Sequence, residues 1–339
     1  MNTLNETKLQ SETNHIIDLT DQEIEIMTNL ALQITADPTD EPELFCRQSK
    51  ECSENIPQRI KKILTDFGNF GNDKGFLLIR NMSSLVNFNG KTPPDNNNRI
   101  GEKTLISRTQ SIFINVIAEM IAYEPEGYGR LFQDVVPMKS METAQTSLGS
   151  NTELEIHTEQ AFSNLRPDIL SLSGLRGNPD ALTYILSIKS ILNNLNDVEI
   201  LELYKPQWKI GVDLSFKLNN QDFIKGDIRG PIPILNGSYI DPILIFDQDL
   251  MTGINDEANK LKQKIIDIYY KERNQHNLKP GEIIFIDNLR AVHGRSRFLP
   301  RYDGYDRFLI RCFAVFDYEK SSYARNNLNN TRMISAIYS

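Results

Sequence analysis

The 339-residue chain is poor in histidine, cysteine and tryptophan, with four, three and one of each, and it has no long apolar run. No stretch approaches the roughly 18 consecutive apolar residues of a membrane-spanning helix, so we expect no membrane contact. Cys46, Cys52 and Cys312 are odd in number and lack zinc-type spacing, which favours reduced thiols in a cytoplasm. The N-terminal stretch lacks the basic start and apolar core of a signal peptide, which fits a cytoplasmic location.

Positive charge is also scarce, since 37 Lys and Arg residues face 45 Asp and Glu residues and the net charge is −8. No run of Lys and Arg is long enough to form a basic patch, so no nucleic-acid partner is expected. An acidic protein is compatible with a small cationic substrate. The chain is 40% hydrophobic and 24% charged, a globular balance, and β-rich enzymes of this length often form one domain. The oligomeric state is not predicted.

Hydrophobic periodicity divides the chain into a helical first third and a strand-rich remainder. Residues 1–18 are polar and are expected to be a flexible N-terminus, followed by one domain over 19–339. Helices are predicted at 20–35, at 57–67, from Ser107 to Tyr123 and at 257–272. Short strands separated by turns favour a sandwich or barrel over a βαβ sheet. The predicted strands are Leu131–Val136, Glu153–Glu159, Ile169–Leu172, Thr183–Leu186, Trp208–Phe216, Ile243–Phe246, Glu282–Asp287 and Phe308–Phe316.

Two of the four histidines belong to one motif, His157-Thr158-Glu159 with His293 far along the chain. Residues i and i+2 of a strand point to the same side, so His157 and Glu159 could bind one ion together. A second strand would add His293. Two histidines and one carboxylate on one face of an octahedron are typical of a non-haem Fe(II) oxygenase, whose other positions stay open. Glu153 and Glu155 share this alternation, but most such charges are solvated and we assign them no role.

An arginine follows the second histidine at the start of an apolar strand, Arg307-Phe308-Leu309-Ile310-Arg311. A buried guanidinium there would bind a carboxylate through a planar, bidentate pair that lysine cannot form. Alternation places Arg307 and Arg311 on one face of that strand. The glycines in the segment 225–231 predict part of a lid that closes over a substrate.

Two blocks of the sequence resemble a known family. The first is His157-Thr158-Glu159-Gln160-Ala161-Phe162-Ser163, and the second runs from Phe285 through Asp287-Asn288-Leu289-Arg290-Ala291-Val292-His293-Gly294-Arg295 to Arg311. With them, the chain resembles the clavaminate synthase-like Fe(II)/2-oxoglutarate-dependent oxygenases, in particular those that hydroxylate free amino acids. The resemblance implies a mainly β fold with flanking helices (α+β) and a double-stranded β-helix, or jelly-roll, core at about 130–318. Helical elements would lie mostly in 19–125.

The resemblance also implies the cofactors and their ligands. It assigns His157, Glu159 and His293 to Fe(II), as catalytic metal ligands. It assigns Arg307 to the distal carboxylate of 2-oxoglutarate, with the Thr183 hydroxyl nearby, and O2 as the oxidant. Halogenating relatives replace the ligand carboxylate with a small residue, so Glu159 favours hydroxylation.

The implied substrate contacts are a separate set. Glu126 matches a position that holds the amino group of the amino acid, and Ser147 fits a polar contact beside it. Arg311 matches an arginine that binds the substrate carboxylate. Asp247 and Asp249 match an Asp-x-Asp pair that clamps a guanidinium, although the pair could instead be an exposed acidic turn.

These assignments predict a 2-oxoglutarate-dependent dioxygenase that hydroxylates a free L-amino acid at Cβ or Cγ. L-Arginine is the first candidate, and succinate and CO2 are the co-products. The alternatives are a hydroxylase or desaturase of lysine, homoarginine, asparagine or a cyclic guanidino amino acid. A non-catalytic metal-binding jelly roll also stays open. A zinc hydrolase is a weaker alternative, because the helical His-Glu-x-x-His spacing is missing.

Overall fold

The computed structural model describes residues 15–213, 216 and 228–338. The α-helices in these ranges are α1 Asp21–Gln33, α2 Pro42–Ser53, α3 Gln58–Phe70, α4 Leu105–Ile117, α5 Ile188–Asn193, α6 Asp197–Leu203 and α7 Asp256–Glu272. The strands are β1 Ile16–Asp18, β2 Phe76–Arg80, β3 Glu119–Tyr123, β4 Gln133–Val135, β5 Leu154–His157, β6 Ile169–Arg176, β7 Thr183–Ser187, β8 Trp208–Gly211, β9 Ile228–Ile232, β10 Leu235–Gly237, β11 Pro242–Leu244, β12 Met251–Gly253, β13 Asn274–His276, β14 Ile283–Asp287, β15 Ala291–Arg295, β16 Phe308–Val315 and β17 Met333–Ile334.

Two sheets form the core. The large sheet has the strand order β1-β2-β14-β6-β16-β3-β17, and β4 also pairs with β16. The small sheet has the order β13-β7-β15-β5. Side chains of both sheets join one hydrophobic cluster, so the sheets pack face to face. The predicted fold class, mainly β with flanking helices around a jelly-roll core, is confirmed.

Side-chain alternation gives the large sheet an apolar layer on each face. On β14, Ile284 and Ile286 point toward the small sheet, whereas Ile283 and Phe285 join the cluster formed with α1 to α4. These buried faces read as a continuous apolar run in the sequence for that reason. On β16 the inward-facing series is 309, 311 and 313, so Arg311 lies between two apolar positions of the cavity side.

The outer face of the small sheet is covered by a second layer. Ile156 of β5 and Val292 of β15 pack with Ile265 of α7 in one buried cluster. Their sequence neighbours His157 and His293 therefore face the other way, toward the space between the sheets. The register of the small sheet thus fixes which side chains reach the interior.

The first helix begins where the sequence predicted it. Thr20 accepts a hydrogen bond from the Glu23 backbone N–H (3.3 Å), and the Glu23 carboxylate accepts one from the Thr20 N–H (2.9 Å). The helix α2 was not predicted. Its buried stripe mixes Phe45 and Cys46 with Ser49, so the apolar period is weak in the sequence.

The helix predicted from Ser107 to Tyr123 is confirmed over residues 107–117 and is wrong over its last six residues. The α-helix ends at Ile117, Ala118 is extended, and β3 then pairs with β16. Branched and aromatic residues in this stretch suit a strand as well as a buried helix, and the free edge of β16 decides between them.

The predicted bounds also differ at several strands. Residues Ile16–Asp18 form β1 alongside β2, although they were expected in the loose N-terminus, while residues 1–14 lie outside the described ranges. Glu159 lies in a turn beyond the end of β5, and β8 ends at Gly211 rather than at 216. Of the predicted lid segment, residues 225–227 lie outside the described ranges and the rest belongs to strand β9. Among the described helices, none is both long and apolar enough to cross a bilayer.

The core between the sheets predicts a large mutational effect at Phe313, which is 1% exposed. Phe313→Ala should lower the free energy of unfolding by about 3–5 kcal/mol, because it removes apolar burial and leaves a cavity. Phe70→Ala is the matched control, since that ring is 76% exposed and its loss should cost less than about 0.5 kcal/mol. Urea denaturation of the two variants measures the difference, and equal losses would contradict the assigned core.

Candidate active site

Strand pairing brings the two site histidines together. In the antiparallel pair β5–β15, His157 lies directly opposite His293, and the ring centroids are 4.5 Å apart. The Nδ1 atom of His157 is 2.8 Å from the Glu155 carbonyl oxygen, so its Nε2 atom is left for another ligand. The Nε2 atom of His293 is 3.4 Å from a carboxylate oxygen of Glu159.

A buried asparagine positions the carboxylate of the group. The Asn288 side chain accepts a hydrogen bond from the Glu159 N–H (2.7 Å) and donates to the carbonyl oxygens of Glu159 (3.2 Å) and Pro167 (2.7 Å). Asn288 lies in the turn between β14 and β15 and is fully buried. The turn that precedes His293 therefore also fixes the backbone of Glu159.

The three side chains fit a metal ion. One donor atom each from His157, Glu159 and His293 lies within 4.8 Å of the other two. Burial opposes ionisation of Glu159, but the Arg311 guanidinium and the two histidines outweigh it and lower the pKa of Glu159 to about 2. Burial, and then the neighbouring imidazole, lower the pKa of His293. An ionised carboxylate and a neutral imidazole are the protonation states that bind a divalent cation.

Two buried arginines line the cavity next to this group. Arg307 and Arg295 both lie near the ring of Phe298, with their guanidinium carbons 6.0 Å and 5.0 Å from its centroid. Burial, and then repulsion from Arg295, lower the pKa of Arg307 to about 9. Thr183 faces the same cavity from β7, where it is the strand partner of Arg295. This side of the cavity suits an anion.

The group His157, Glu159 and His293 is called the triad below. A third arginine, Arg311, lies against its carboxylate. The Nη1 atom of Arg311 donates to Glu159 (3.2 Å), while its Nε and Nη2 atoms donate to the Gln133 side-chain oxygen (3.0 and 2.5 Å). Glu126 is 3.6 Å from Arg311 and accepts a hydrogen bond from Gln160 (3.0 Å). Burial raises the pKa of Glu126 to about 7.

Carboxylates line the opposite side of the triad. Asp247 forms an isolated antiparallel bridge with His157, and its side chain accepts a hydrogen bond (2.6 Å) from a backbone N–H of the same turn. Asp249 and Glu155 face the same cavity, and in the described parts of the chain their carboxylates accept no hydrogen bond. The ammonium of Lys262 donates instead to the backbone carbonyl oxygens of residues 248 and 251. This wall therefore has three carboxylates, and the Lys262 ammonium lies near enough to interact electrostatically with each of them.

The cavity has a volume of about 640 Å³, and every site residue predicted from the sequence lines it. These residues are Glu126, Ser147, His157, Glu159, Thr183, Asp247, Asp249, His293, Arg307 and Arg311. Their individual roles stay predictions, although the structure brings them together.

Sequence reasoning missed four residues of the site: Asn288, Arg295, Gln133 and Glu155. For Glu155 the signal was present, because it shares the strand alternation of His157. Asn288 and Arg295 lie within the second family block, next to His293. Nothing in the sequence distinguished Gln133, since its link to Arg311 depends on the pairing of β4 with β16.

Comparisons with known proteins agree with this geometry. No protein-family model matches the chain. The L-lysine 3-hydroxylase of Catenulispora acidiphila is 44% identical over 328 residues, which cover 97% of this chain and 91% of that protein. Clavaminate synthase 2 of Streptomyces clavuligerus is 27% identical, over 89% of this chain and 92% of that protein.

Solved structures extend the likeness to the whole fold. Asparagine oxygenase in complex with Fe(II), 2S,3S-3-hydroxyasparagine and succinate matches with a TM-score of 0.87 at 27% identity, over 95% of this chain and 99% of that one. The non-haem iron oxygenase OrfP in complex with Fe, succinate and (3S)-hydroxy-L-Arg matches with a TM-score of 0.82 at 25% identity, over 94% and 99%. Fold and triad together define a non-haem iron enzyme. The chain belongs to the clavaminate synthase-like Fe(II)/2-oxoglutarate-dependent oxygenases.

The hydrogen bonds between the Asn288 side chain and the Glu159 backbone predict a weaker iron site in Asn288→Ala. Binding of Fe(II) should weaken about ten- to hundredfold, since residues that hydrogen-bond a metal ligand orient it. Anaerobic calorimetry with Fe(II) measures the affinity. Asn194→Ala is the matched control, because Asn194 bonds Ser190 and Glu272 outside the cavity, and it should leave the affinity unchanged. A folded Asn288→Ala protein with wild-type affinity would contradict the positioning role.

Proposed function

We propose that this enzyme hydroxylates a free basic L-amino acid at a carbon close to its α-carbon, with L-lysine as the first candidate and Cβ as the first candidate position. The observation that carries the proposal is one cavity with three chemically different walls. Arg311 lies beside the triad, a carboxylate-rich wall lies on one side, and two buried arginines lie on the other.

The α-carboxylate of the substrate would bind Arg311. Because the Arg311 guanidinium is only 3.2 Å from Glu159, a carboxylate held there keeps the α-carbon next to the metal ligands. The carbons within reach are then Cβ and Cγ rather than the far end of the side chain. Glu126 and Ser147, which line the same part of the cavity, would hold the α-ammonium group.

The cationic end of the side chain would bind at the acidic wall formed by Asp247, Asp249 and Glu155. An ammonium has three N–H donors in a tetrahedral arrangement, and three carboxylates can accept one each. This third carboxylate supports lysine, as does the 44% identity with a lysine 3-hydroxylase.

His157, Glu159 and His293 would hold the ferrous ion, and Arg307 with Thr183 would hold the distal carboxylate of 2-oxoglutarate. When bound, the ferrous ion and 2-oxoglutarate, together with O2, supply an oxidant that replaces a C–H hydrogen with hydroxyl, and the keto acid becomes succinate and CO2. The protein's own part is to fix the substrate between Arg311 and the acidic wall.

L-Arginine is the second candidate, and two observations favour it. Asp247 and Asp249 form the pair of carboxylates that a planar guanidinium fork would need. The related OrfP structure contains (3S)-hydroxy-L-Arg.

The test is a substrate panel with Fe(II) and 2-oxoglutarate, read by mass spectrometry and by succinate release. L-Lysine should give a product heavier by one oxygen atom, and fragmentation should place the oxygen at Cβ. L-Norleucine, which lacks the side-chain cation, is the matched control and should turn over poorly. Stronger turnover of norleucine than of lysine and arginine would refute a basic substrate, whereas turnover of arginine alone would select the second candidate.

The acidic wall predicts the effect of one neutral substitution. Asp249→Asn should raise the KM for lysine about tenfold, because it removes one charged acceptor from a partly solvated site. The KM for 2-oxoglutarate should change little. Asp73→Asn is the control, since Asp73 is an exposed carboxylate that pairs with Lys189. Steady-state kinetics of the three proteins measure the effect, and an unchanged KM in Asp249→Asn would remove Asp249 from the wall.

The raised pKa of Glu126 predicts a pH dependence. This carboxyl must be ionised to bind an ammonium, and burial raises its pKa to about 7. The value of kcat/KM for the amino acid should therefore rise with pH through about 7 and then level off, because this ratio reports the free enzyme. In Glu126→Gln the rise near pH 7 should be lost and the plateau lowered, which leaves an earlier rise from Asp247, whose pKa burial raises to about 6. A profile identical to that of the wild type would contradict the role of Glu126.

A further inference from the structure

Arg295 is a buried cation to which the proposed function assigns no contact of its own. It is 4% exposed, it lies at the end of β15 two residues after His293, and it lines the same cavity as Arg307, which is 6% exposed. A charge removed from water is costly unless an opposite charge compensates it. Within the described ranges, neither guanidinium forms an ion pair with a carboxylate.

The hydrogen bonds of Arg295 fix its position but not its charge. Its Nε atom donates to the Ser296 carbonyl oxygen (3.1 Å), Nη1 to that of Gly149 (2.5 Å) and Nη2 to that of Thr152 (3.1 Å). All three acceptors are neutral backbone oxygens. The guanidinium is therefore held rigidly, with its positive charge directed into the cavity side of the sheet and with N–H groups left over from the five that arginine carries.

The two arginines form one electropositive unit. Both stand near the buried ring of Phe298, and Thr183 on the neighbouring strand faces the cavity beside them. Two like charges in a buried site raise each other's energy, as Arg295 does that of Arg307, and an anion in the cavity relieves both. A ligand with a second negative charge gains more from this unit than a ligand with one.

We infer that Arg295 is a second determinant of binding for the distal carboxylate of the keto-acid co-substrate, acting through its fixed charge together with Arg307. The inference rests on the proposed use of 2-oxoglutarate. Arg295 is thus a positioning residue for the anionic co-substrate rather than only a clamp on the loop that carries Gly149 and Thr152.

Two substitutions of Arg295 distinguish the effect of its charge from the effect of its hydrogen bonds to the loop that contains Gly149 and Thr152. Arg295→Lys keeps the charge and loses the fork of hydrogen bonds, whereas Arg295→Gln loses the charge and keeps an amide donor. Anaerobic calorimetry with Fe(II) and 2-oxoglutarate should show a dissociation constant raised on the order of tenfold in the Gln variant and within about threefold of wild type in the Lys variant. The KM for the amino acid should change little in both. Equal losses in the two variants, or a larger loss in Lys, would overturn the inference.

A second measurement leaves Arg295 in place. In Arg307→Gln, binding of 2-oxoglutarate is compared with binding of 2-oxovalerate, which has a methyl group where the distal carboxylate stands. A residual preference of several-fold for 2-oxoglutarate is expected, because one fixed cation remains. Loss of all preference would show that Arg295 contributes nothing. Absence of 2-oxoglutarate binding in the wild-type protein would instead refute the proposed co-substrate, so the two failures are distinguishable.

Discussion

The antiparallel register of β5 and β15 is the constraint on which the rest of the site depends. It sets His157 opposite His293, and the alternation of side chains sends Ile156 and Val292 to the outer apolar layer. A shift of the register by one residue would exchange the histidines for these apolar side chains. The burial of the outer layer against α7 therefore protects the geometry of the triad, and packing far from the cavity supports chemistry within it.

Charge is distributed around the triad in a manner that suits three different ligands. The arginines Arg295 and Arg307 line the cavity near strand β7, and the carboxylates line it near Asp247. Arg311 lies against Glu159 of the triad. Arg295 and Arg307 are costly when the cavity is empty, because burial disfavours their charged form and lowers the pKa of both guanidinium groups. The proposed ligands have complementary charges: the distal carboxylate of 2-oxoglutarate faces the arginines, the α-carboxylate of the amino acid faces Arg311, and its side-chain cation faces the carboxylates. The cost of the charged walls and their capacity to select ligands have the same physical origin.

The positions of the site residues were predictable to different degrees. His157, Glu159 and His293 were identifiable because histidine is rare in this chain and because the residues around them resemble a family. The sequence showed that Glu155 shares the strand face of His157. Nothing in the sequence distinguished Glu155 from Glu153, which forms an ion pair with Arg273 outside the acidic wall. Gln133 could not be found, because its partner Arg311 is distant in sequence and meets it only through the pairing of β4 and β16. Likewise, the stretch after Ile117 suits helix and strand alike, and the edge of β16 selected the strand.

The sequence by itself indicated the fold class, the candidate metal-binding trio and the family, since apolar alternation, scarce histidines and contiguous motifs are local properties of the chain. Only the tertiary structure decided that Asn288 holds the Glu159 backbone and that Glu155 joins the acidic wall. It also decided that Arg295 and Arg307 are buried side by side, with no carboxylate partner among the residues that the structure describes. The physical reason is that a charge acquires its energy, and so its function, from the groups that folding brings near it. Such neighbours can be far apart in the chain, as Asn288 and Glu159 are.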